Sequence, residues 1–302
     1  MVDTMSGVGL AEGRPSPERR LPEWFKVPFP GGENYNRLKG LMRQHGLHTI
    51  CEEAHCPNMG ECWEAGTGTF LILGDICTRH CAYCAVKSGR PQGVDLLEPR
   101  RLALTVKTLG LKYAVITSVD RDDLPDGGAA LFAECIRQVR AETPDCRVEV
   151  LTPDFQGDQA AIDAVIRARP DVFNHNIETV PRLYPRVRFK AKYQQSLDLV
   201  RRVKESDVAI ITKSGLMVGL GETKEELLET MADLVRHGCD ILTVGQYLRP
   251  SPRHVAVDRF YHPDEFRELK ALGEALGLRH VEAGPLVRSS YHAHEQLKVA
   301  TT

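Results

Sequence analysis

The chain has 302 residues, a formal net charge of -2, 26% charged residues and 42% hydrophobic residues. That length suits one large α/β domain with a core of its own. So nearly neutral a balance excludes a protein held to nucleic acid mainly through phosphates, and no apolar run reaches the length of a membrane span.

Residues 1–20 carry Asp3, Glu12 and Glu18, lack the apolar core of a signal peptide, and read as a mobile arm. Residues 21–68 read as an N-terminal extension. From Leu21 to Gly46 the chain is expected to be irregular, because Pro22, Pro28, Pro30 and the Gly31-Gly32 pair break regular structure. Trp24 and Phe25 are placed to anchor this strap to the body. Cys51, Cys56 and Cys62 follow with Pro57 and Gly60 among them, a pattern that reads as a loop wrapped round something rather than a helix or strand.

Beyond this point the pattern becomes regular. A strand over Thr69–Ile76 runs into Cys77, and apolar runs recur at Tyr113–Thr117, Val148–Leu151, Val172–Ile177, Ala209–Val218 and Ile241–Val244. A shorter run lies near His280–Ala283. Between them Ala129–Arg140 places Leu131, Phe132, Cys135, Ile136 and Val139 on one helical face. Helical spacing also marks Ala160–Arg169, Gln194–Lys204, Lys224–Arg236 and Asp264–Leu276. Thr223 with Glu226 forms a capping box, and Pro263 suits a first turn. Strand–helix alternation repeated six times predicts a parallel sheet covered by helices. A doubly wound sheet would mark its ligand site with a Gly-rich first turn, whereas here the first strand meets cysteines. The expected α/β fold is therefore a partial (β/α)6 TIM-type barrel over residues 69–278. The N-terminal extension and a C-terminal extension, residues 279–302, are expected to cover its open mouth.

Six of the nine cysteines form two triplets, Cys51/Cys56/Cys62 and Cys77/Cys81/Cys84. Three thiolates are odd for a disulfide framework and one short of a closed tetrahedral metal site. With no export signal, this usage points to a reducing cytoplasm. The second triplet lies on the loop leaving the first strand's C-terminal end, where barrels carry their chemistry. Its Cys-x3-Cys-x2-Cys spacing can hold three irons of a cubane cluster and leave the fourth open. Zinc is the alternative, in a zinc-stabilised binding module, although only Cys81/Cys84 has the pair spacing of a zinc ribbon.

With Tyr83 at its aromatic position, this motif resembles that of the radical S-adenosylmethionine superfamily. The resemblance implies a [4Fe-4S] cluster whose open iron is chelated by S-adenosylmethionine, and a 5'-deoxyadenosyl radical released on one-electron reduction. Tyr83 is then a cofactor-side residue. Gly215-Leu-Met-Val-Gly219-Leu-Gly-Glu222 resembles the element near the adenine, with Met217 in place of the usual Ile. The superfamily's Gly-Gly-Glu element is replaced nearby by Asp126-Gly127-Gly128. Glu178, after Asn174, His175 and Asn176, is placed to bind the ribose; a polar cluster bonding loop backbone is the alternative.

The rarer Cys-x4-Cys-x5-Cys spacing, with Asn58, Gly60, Glu61 and Trp63, narrows the resemblance to the lipoyl synthase family, as does Arg288-Ser289-Ser290-Tyr291-His292-Ala293. That resemblance implies a second [4Fe-4S] cluster on the first triplet. Ser290 is implied as its fourth ligand, with Ser289 as the fallback. An alkoxide is harder than a thiolate and suits a releasable iron, and Arg288 or a neighbour would supply the proton. The implied reaction inserts sulfur at C6 and C8 of an octanoyl chain on a lysine of a lipoyl carrier protein or domain. The implied partners also include an electron donor such as ferredoxin or flavodoxin, and an iron–sulfur carrier that rebuilds the second cluster. A biotin-synthase-like sulfurtransferase is the neighbouring alternative. No nucleic-acid or membrane partner is expected, and a monomer is the default.

Cys135, Cys146 and Cys239 read as small core or loop hydrophobes. His55 and His80 lie inside the triplets, where loop packing or solvent exposure is the simpler role. Arg182, Arg186, Arg188, Lys190 and Lys192 form a basic run, either a solvated face or a dock for an acidic carrier domain.

Overall fold

The computed structural model describes residues 21–26, 31–44, 46–53, 56–64 and 67–301. The arm expected over residues 1–20 lies outside them, as does His55. Phe25 is buried beside Phe260, and Trp24 stands edge-on to His262 at 5.0 Å, so this part of the strap is anchored as expected. A helix, α1 (Glu33–Gln44), follows where irregular chain was expected. The breakers lie upstream of it, and Tyr35, Leu38 and Met42 recur at helical spacing and are buried.

The first triplet is also more regular than a loop. Cys51 lies in α2 (Ile50–Glu53) and Cys62 in α3 (Met59–Glu64). Pro57 falls between these helices and Gly60 in the first turn of the second, so neither interrupts a helix interior. Trp63 is fully buried, 5.1 Å from the Tyr35 ring, and fixes α3 to α1.

The main sheet has eight strands. A short β1 (His48–Thr49) pairs antiparallel with β2 (Gly68–Ile72) at one edge. Parallel to β2 run β5 (Tyr113–Ser118), β6 (Arg147–Leu151), β7 (Val172–Asn174), β8 (Ile211–Val218), β9 (Ile241–Gln246) and β10 (His280–Gly284), in that order. The first strand stops at Ile72 rather than Ile76, because Leu73 (φ 68°) and Gly74 (φ 87°) turn the chain. Ile76–Cys77 then forms β3, which pairs with β4 (Lys87–Ser88) as a separate ribbon. The strand expected to reach Ile177 ends at Asn174, and only a bridge from Glu178 to Leu216 continues the pairing.

Each of six strands leads to an outer helix. β2 leads to α4 (Glu98–Leu109), β5 to α5 (Ala129–Glu142) and β6 to α6 (Gln159–Arg167). β7 leads through the short α7 (Tyr184–Val187) to α8 (Tyr193–Ser206), β8 to α9 (Lys224–Arg236) and β9 to α10 (Pro263–Ala275). The Thr223/Glu226 capping box is formed, and Pro263 opens α10. The architecture is the expected partial (β/α)6 barrel, with β10 as a seventh parallel strand and no pairing between the outermost strands β1 and β10. No described helix is long and apolar enough to cross a membrane.

Strand residues alternate between two faces. Ala114, Ile116, Val148, Val150 and Phe173 pack outward under the helices. Tyr113, Val115, Val172, Ile211 and Ile241 face the other way, and the last helix, α11 (Ala293–Thr301), covers them through Ala293, Leu297 and Ala300. Above that layer Lys213 and Glu149, 1% and 0% exposed, pair at 3.0 Å. Tyr113 Oη and Asn174 Nδ2 also donate to Glu149. Removing one partner leaves a buried charge alone, which costs about 3–5 kcal/mol. Lys213→Met should therefore lower the thermal midpoint sharply, and Lys213→Met with Glu149→Gln should recover much of the loss, as read by differential scanning calorimetry.

Candidate active site

The second triplet sits where β2 delivers the chain to the barrel mouth. Cys77 is in β3, and Cys81 and Cys84 lie on the loop beyond it, all partly buried. An ionic hub fastens this loop to the ends of β5 and β6. Arg79, 5% exposed, donates to both oxygens of Asp122 (2.8 Å each) and to Asp154 (2.7 and 3.0 Å), with Asp120 at 3.4 Å. Burial alone would raise the Asp154 pKa; hydrogen bonding and charge from Arg79 outweigh it and hold that carboxyl at about 2. Two straps complete the hold. Ala82 N donates to Val187 O at 2.9 Å and Lys190 Nζ to Thr78 O at 3.2 Å. On the other side Val255 N donates to Ala82 O, and His254 Nε2 lies 2.9 Å from Cys84 O. Burial pushes the Cys81 and Cys84 thiols up to about 12 and about 11, so a bound metal has to displace their protons.

Next to this loop lies a polar pocket. Glu178 adopts φ 67°, and Asn176 Nδ2 donates to Glu178 Oε1 at 3.1 Å. Asn176 Oδ1 is buried without a partner, and a Cβ on Gly215 would stand 2.6 Å from it. Arg188 belongs here and not to a solvated basic face. It is 7% exposed, its Nη1 donates to Asn176 O at 2.8 Å, and its buried Nε has no partner among the described residues. Its charge is felt by Cys81, Tyr83 and Glu178. The only sequence signal for this placement is its position four residues after Tyr184, over whose ring it lies. Gly219 sits farther along, at the end of β8. Its N–H donates to Glu222, which Tyr261 Oη also bonds, and its carbonyl accepts from Asp258 N beyond the strap that holds Cys84. Asp126 does not face the pocket: its carboxylate accepts from Gly128 N and Ala130 N and starts α5.

The C-terminal segment lies against the first triplet. Asn58 Nδ2 donates to Leu286 O at 2.6 Å, while Tyr291 Oη and His292 Nε2 reach Glu61, each at 3.2 Å. The Cys56 thiol is lowered to about 7, first by its hydrogen bond with Cys51 and also by the Arg288 charge; burial holds Cys62 up at about 12. Between these contacts Ser289 and Ser290 are half-buried in a turn closed by Tyr291 N to Arg288 O. No hydrogen bond of either hydroxyl occurs among the described residues. Gly245 makes the approach possible, since a Cβ there would stand 2.1 Å from Val287 O. The Cys51 thiol is pushed up, first by its hydrogen bond with Cys56 and then by burial, and the buried Trp63 indole N–H has no hydrogen-bond partner among the described residues.

Cys135, Cys146 and Cys239 are buried away from both triplets, and His80 is exposed. Among the described residues no three His, Cys, Asp or Glu side chains converge on one ion. A cubane binds each thiolate to a different iron, so its ligands stand farther apart. Free cysteines, the orphaned Trp63 donor and the orphaned Asn176 and Arg188 atoms all fit absent polar groups. A cavity of about 1200 Å³ lies at the opposite end of the barrel, lined by residues such as Arg147, Arg169 and Asp171. Its arginines pair with Asp171 and Asp207, and it holds neither triplet.

The family model of the radical SAM superfamily matches residues 71–234, and fold and site together define a radical SAM enzyme. A second model, the N-terminal domain of lipoyl synthase, matches residues 9–56. Lipoyl synthase of Rubrobacter xylanophilus is 61% identical over 92% of this chain and 87% of its own length. That of Koribacter versatilis is 53% identical over 98% and 96%. The chain belongs to the lipoyl synthase family. Among solved structures the fold is similar to the FeFe-hydrogenase maturase HydG from Carboxydothermus hydrogenoformans (TM-score 0.57, 16% identity, 88% of this chain and 70% of that one). It is also similar to methylornithine synthase (TM-score 0.54, 13% identity, 83% of each chain).

The fit at Gly245 can be tested directly. Gly245→Val should push residues 286–290 outward, so that trypsin cleaves after Arg288 much faster than in the parent chain, as followed by intact-mass spectrometry. Unchanged cleavage would mean that the segment seats without this glycine.

Proposed function

We propose that the two triplets divide the work of sulfur insertion, the second holding the radical source and the first holding the sulfur donor. The carrying observation is the contact of the Leu286–His292 segment, which carries Ser289 and Ser290, with Asn58 and Glu61 between the cysteines of the first triplet. As a lipoyl synthase the chain uses S-adenosylmethionine and two [4Fe-4S] clusters to add two sulfur atoms, at C6 and C8, to a protein-bound octanoyl chain. When bound, these groups supply a one-electron route to a carbon radical at one cluster and sulfide at the other.

In this reading Cys77, Cys81 and Cys84 each hold one iron, and Cys51, Cys56, Cys62 and Ser290 hold four, with Ser289 as the substitute. Arg188 pairs with the cofactor's carboxylate, for which its free Nε is suited. Glu178 and Asn176 take the ribose, Tyr83 packs beside them, and the Gly219 turn meets the adenine. Arg288 supplies a positive hydrogen-bond donor to the serine oxygen as it leaves iron. Extension 21–68, barrel 69–278 and closing segment 279–302 follow this division. The substrate is an octanoylated lipoyl carrier protein or domain, with a ferredoxin- or flavodoxin-type donor and an iron–sulfur carrier for rebuilding. Nine free cysteines support a reducing, cytoplasmic setting.

The test is anaerobic turnover with reductant, S-adenosylmethionine and an octanoyl-lysine peptide, read by mass spectrometry. The parent should carry about eight irons per chain and form both deoxyadenosine and lipoyl product. Cys62→Ala should keep deoxyadenosine formation and lose sulfur addition, with iron falling to about four. Cys81→Ala should lose both. Loss of deoxyadenosine in Cys62→Ala would refute the division.

A further inference from the structure

The reading above requires electrons to enter the Cys77–Cys84 cluster one at a time from outside, and the outer cover of that loop has an unusual charge. The chain holds 41 Asp and Glu against 39 Lys and Arg. Yet no Asp or Glu occurs from Ile76 to Val94, from Thr179 to Leu197, or from Ile241 to Val257. These are the cysteine loop and the two straps hydrogen-bonded to it. Of the acidic residues around the loop, Asp120, Asp122 and Asp154 are drawn inward onto Arg79, Glu178 is bonded by Asn176, and Asp75 is paired with Lys87. Outward, Arg186, Lys190 and Lys192 on one strap and Arg249 and Arg253 on the other are exposed. On the first strap Phe189, between Arg188 and Lys190 in the chain, leaves 55% of its surface to solvent, one residue from the buried Arg188 and two from the Val187 carbonyl bonded to Ala82.

An exposed aromatic beside exposed cations on one strap, with further exposed cations on a second strap bonded to the same loop, is the composition of a protein interface, with an apolar centre and a charged rim. The link from Phe189 to the Cys81–Ala82 backbone is short: two residues and one hydrogen bond. The first triplet is different, since Glu52, Glu53 and Glu61 lie among its cysteines in the chain. We propose that the Phe189-centred face is the docking site for an acidic protein carrying a low-potential one-electron centre near its surface, which passes its electron through the Val187–Ala82 contact. This rests on the assignment of the second triplet to the radical source. An acidic octanoylated carrier domain is the competing occupant. The face commits to the electron carrier because both straps that form it are hydrogen-bonded to the Cys77–Cys84 loop itself.

The test uses the reconstituted full chain and the variant Arg186→Glu/Lys192→Glu/Arg253→Glu, with Phe189→Ser as a second, uncharged change. Deoxyadenosine formation is measured with dithionite and with a reduced bacterial flavodoxin. With dithionite both variants should match the parent. With flavodoxin the triple variant should slow by about tenfold or more at low salt, Phe189→Ser should slow less, and the parent's rate alone should fall steeply with added salt. Equal rates for parent and variants with flavodoxin would overturn the proposal. So would variants that keep octanoyl-peptide turnover with dithionite but lose turnover of an octanoylated carrier domain, which would assign the face to the carrier. A parent chain that forms no deoxyadenosine even with dithionite would instead refute the reading of the second triplet.

Discussion

A four-iron cluster needs four ligands, and three cysteines leave one iron unsupplied; this shortfall, met twice, governs how the chain is arranged. Beside the second triplet lies a pocket whose polar atoms, on Asn176 and Arg188, are buried without partners among the described residues. Against the first triplet lies a segment from the far end of the chain. Burying an unpaired polar group is costly, so an orphaned pocket persists in a fold only if something else pairs with it. The proposed division needs both triplets near one bound chain, since proximity of that kind lets two chemistries act on it.

Charge keeps the parts in place. Arg79 has three carboxylates around it and ties the cysteine loop to two strand ends. Breaking such a buried ionic group by removing one member is expensive, which makes the loop rigid before any iron arrives. The first triplet is held more by packing, through Trp63 against Tyr35 and through Asn58 on the C-terminal backbone. One triplet is therefore built into the barrel, while the other is clamped between two extensions. The proposed division, a permanent centre beside one that gives up atoms, would call for that difference.

Much of this was legible in the residues. Six strand–helix units, the capping box at Thr223 and the two cysteine spacings are local patterns, and each has one physical reading. Helix α1 was hidden because nearby prolines and glycines dominated the composition, although Tyr35, Leu38 and Met42 carried the period. The end of β2 at Ile72 depends on Leu73 taking a positive φ, which leucine gives no sign of. Arg188 looked like one cation in a run, and only its tertiary setting separates it from exposed Arg186 and Lys190. Gly245 was invisible for the same reason: the carbonyl it admits comes from a segment some forty residues later.

The central claim is that the C-terminal segment completes the first cluster through a serine oxygen. The direct measurement is the Mössbauer spectrum of iron-57-loaded chain in which Cys77, Cys81 and Cys84 are replaced by alanine, so that only the first cluster remains. One iron site should differ from the other three as oxygen ligation requires, and that distinct signal should vanish with Ser290→Ala but survive Ser289→Ala. Four equivalent sulfur-ligated sites, or a distinct site indifferent to both serines, would contradict the account.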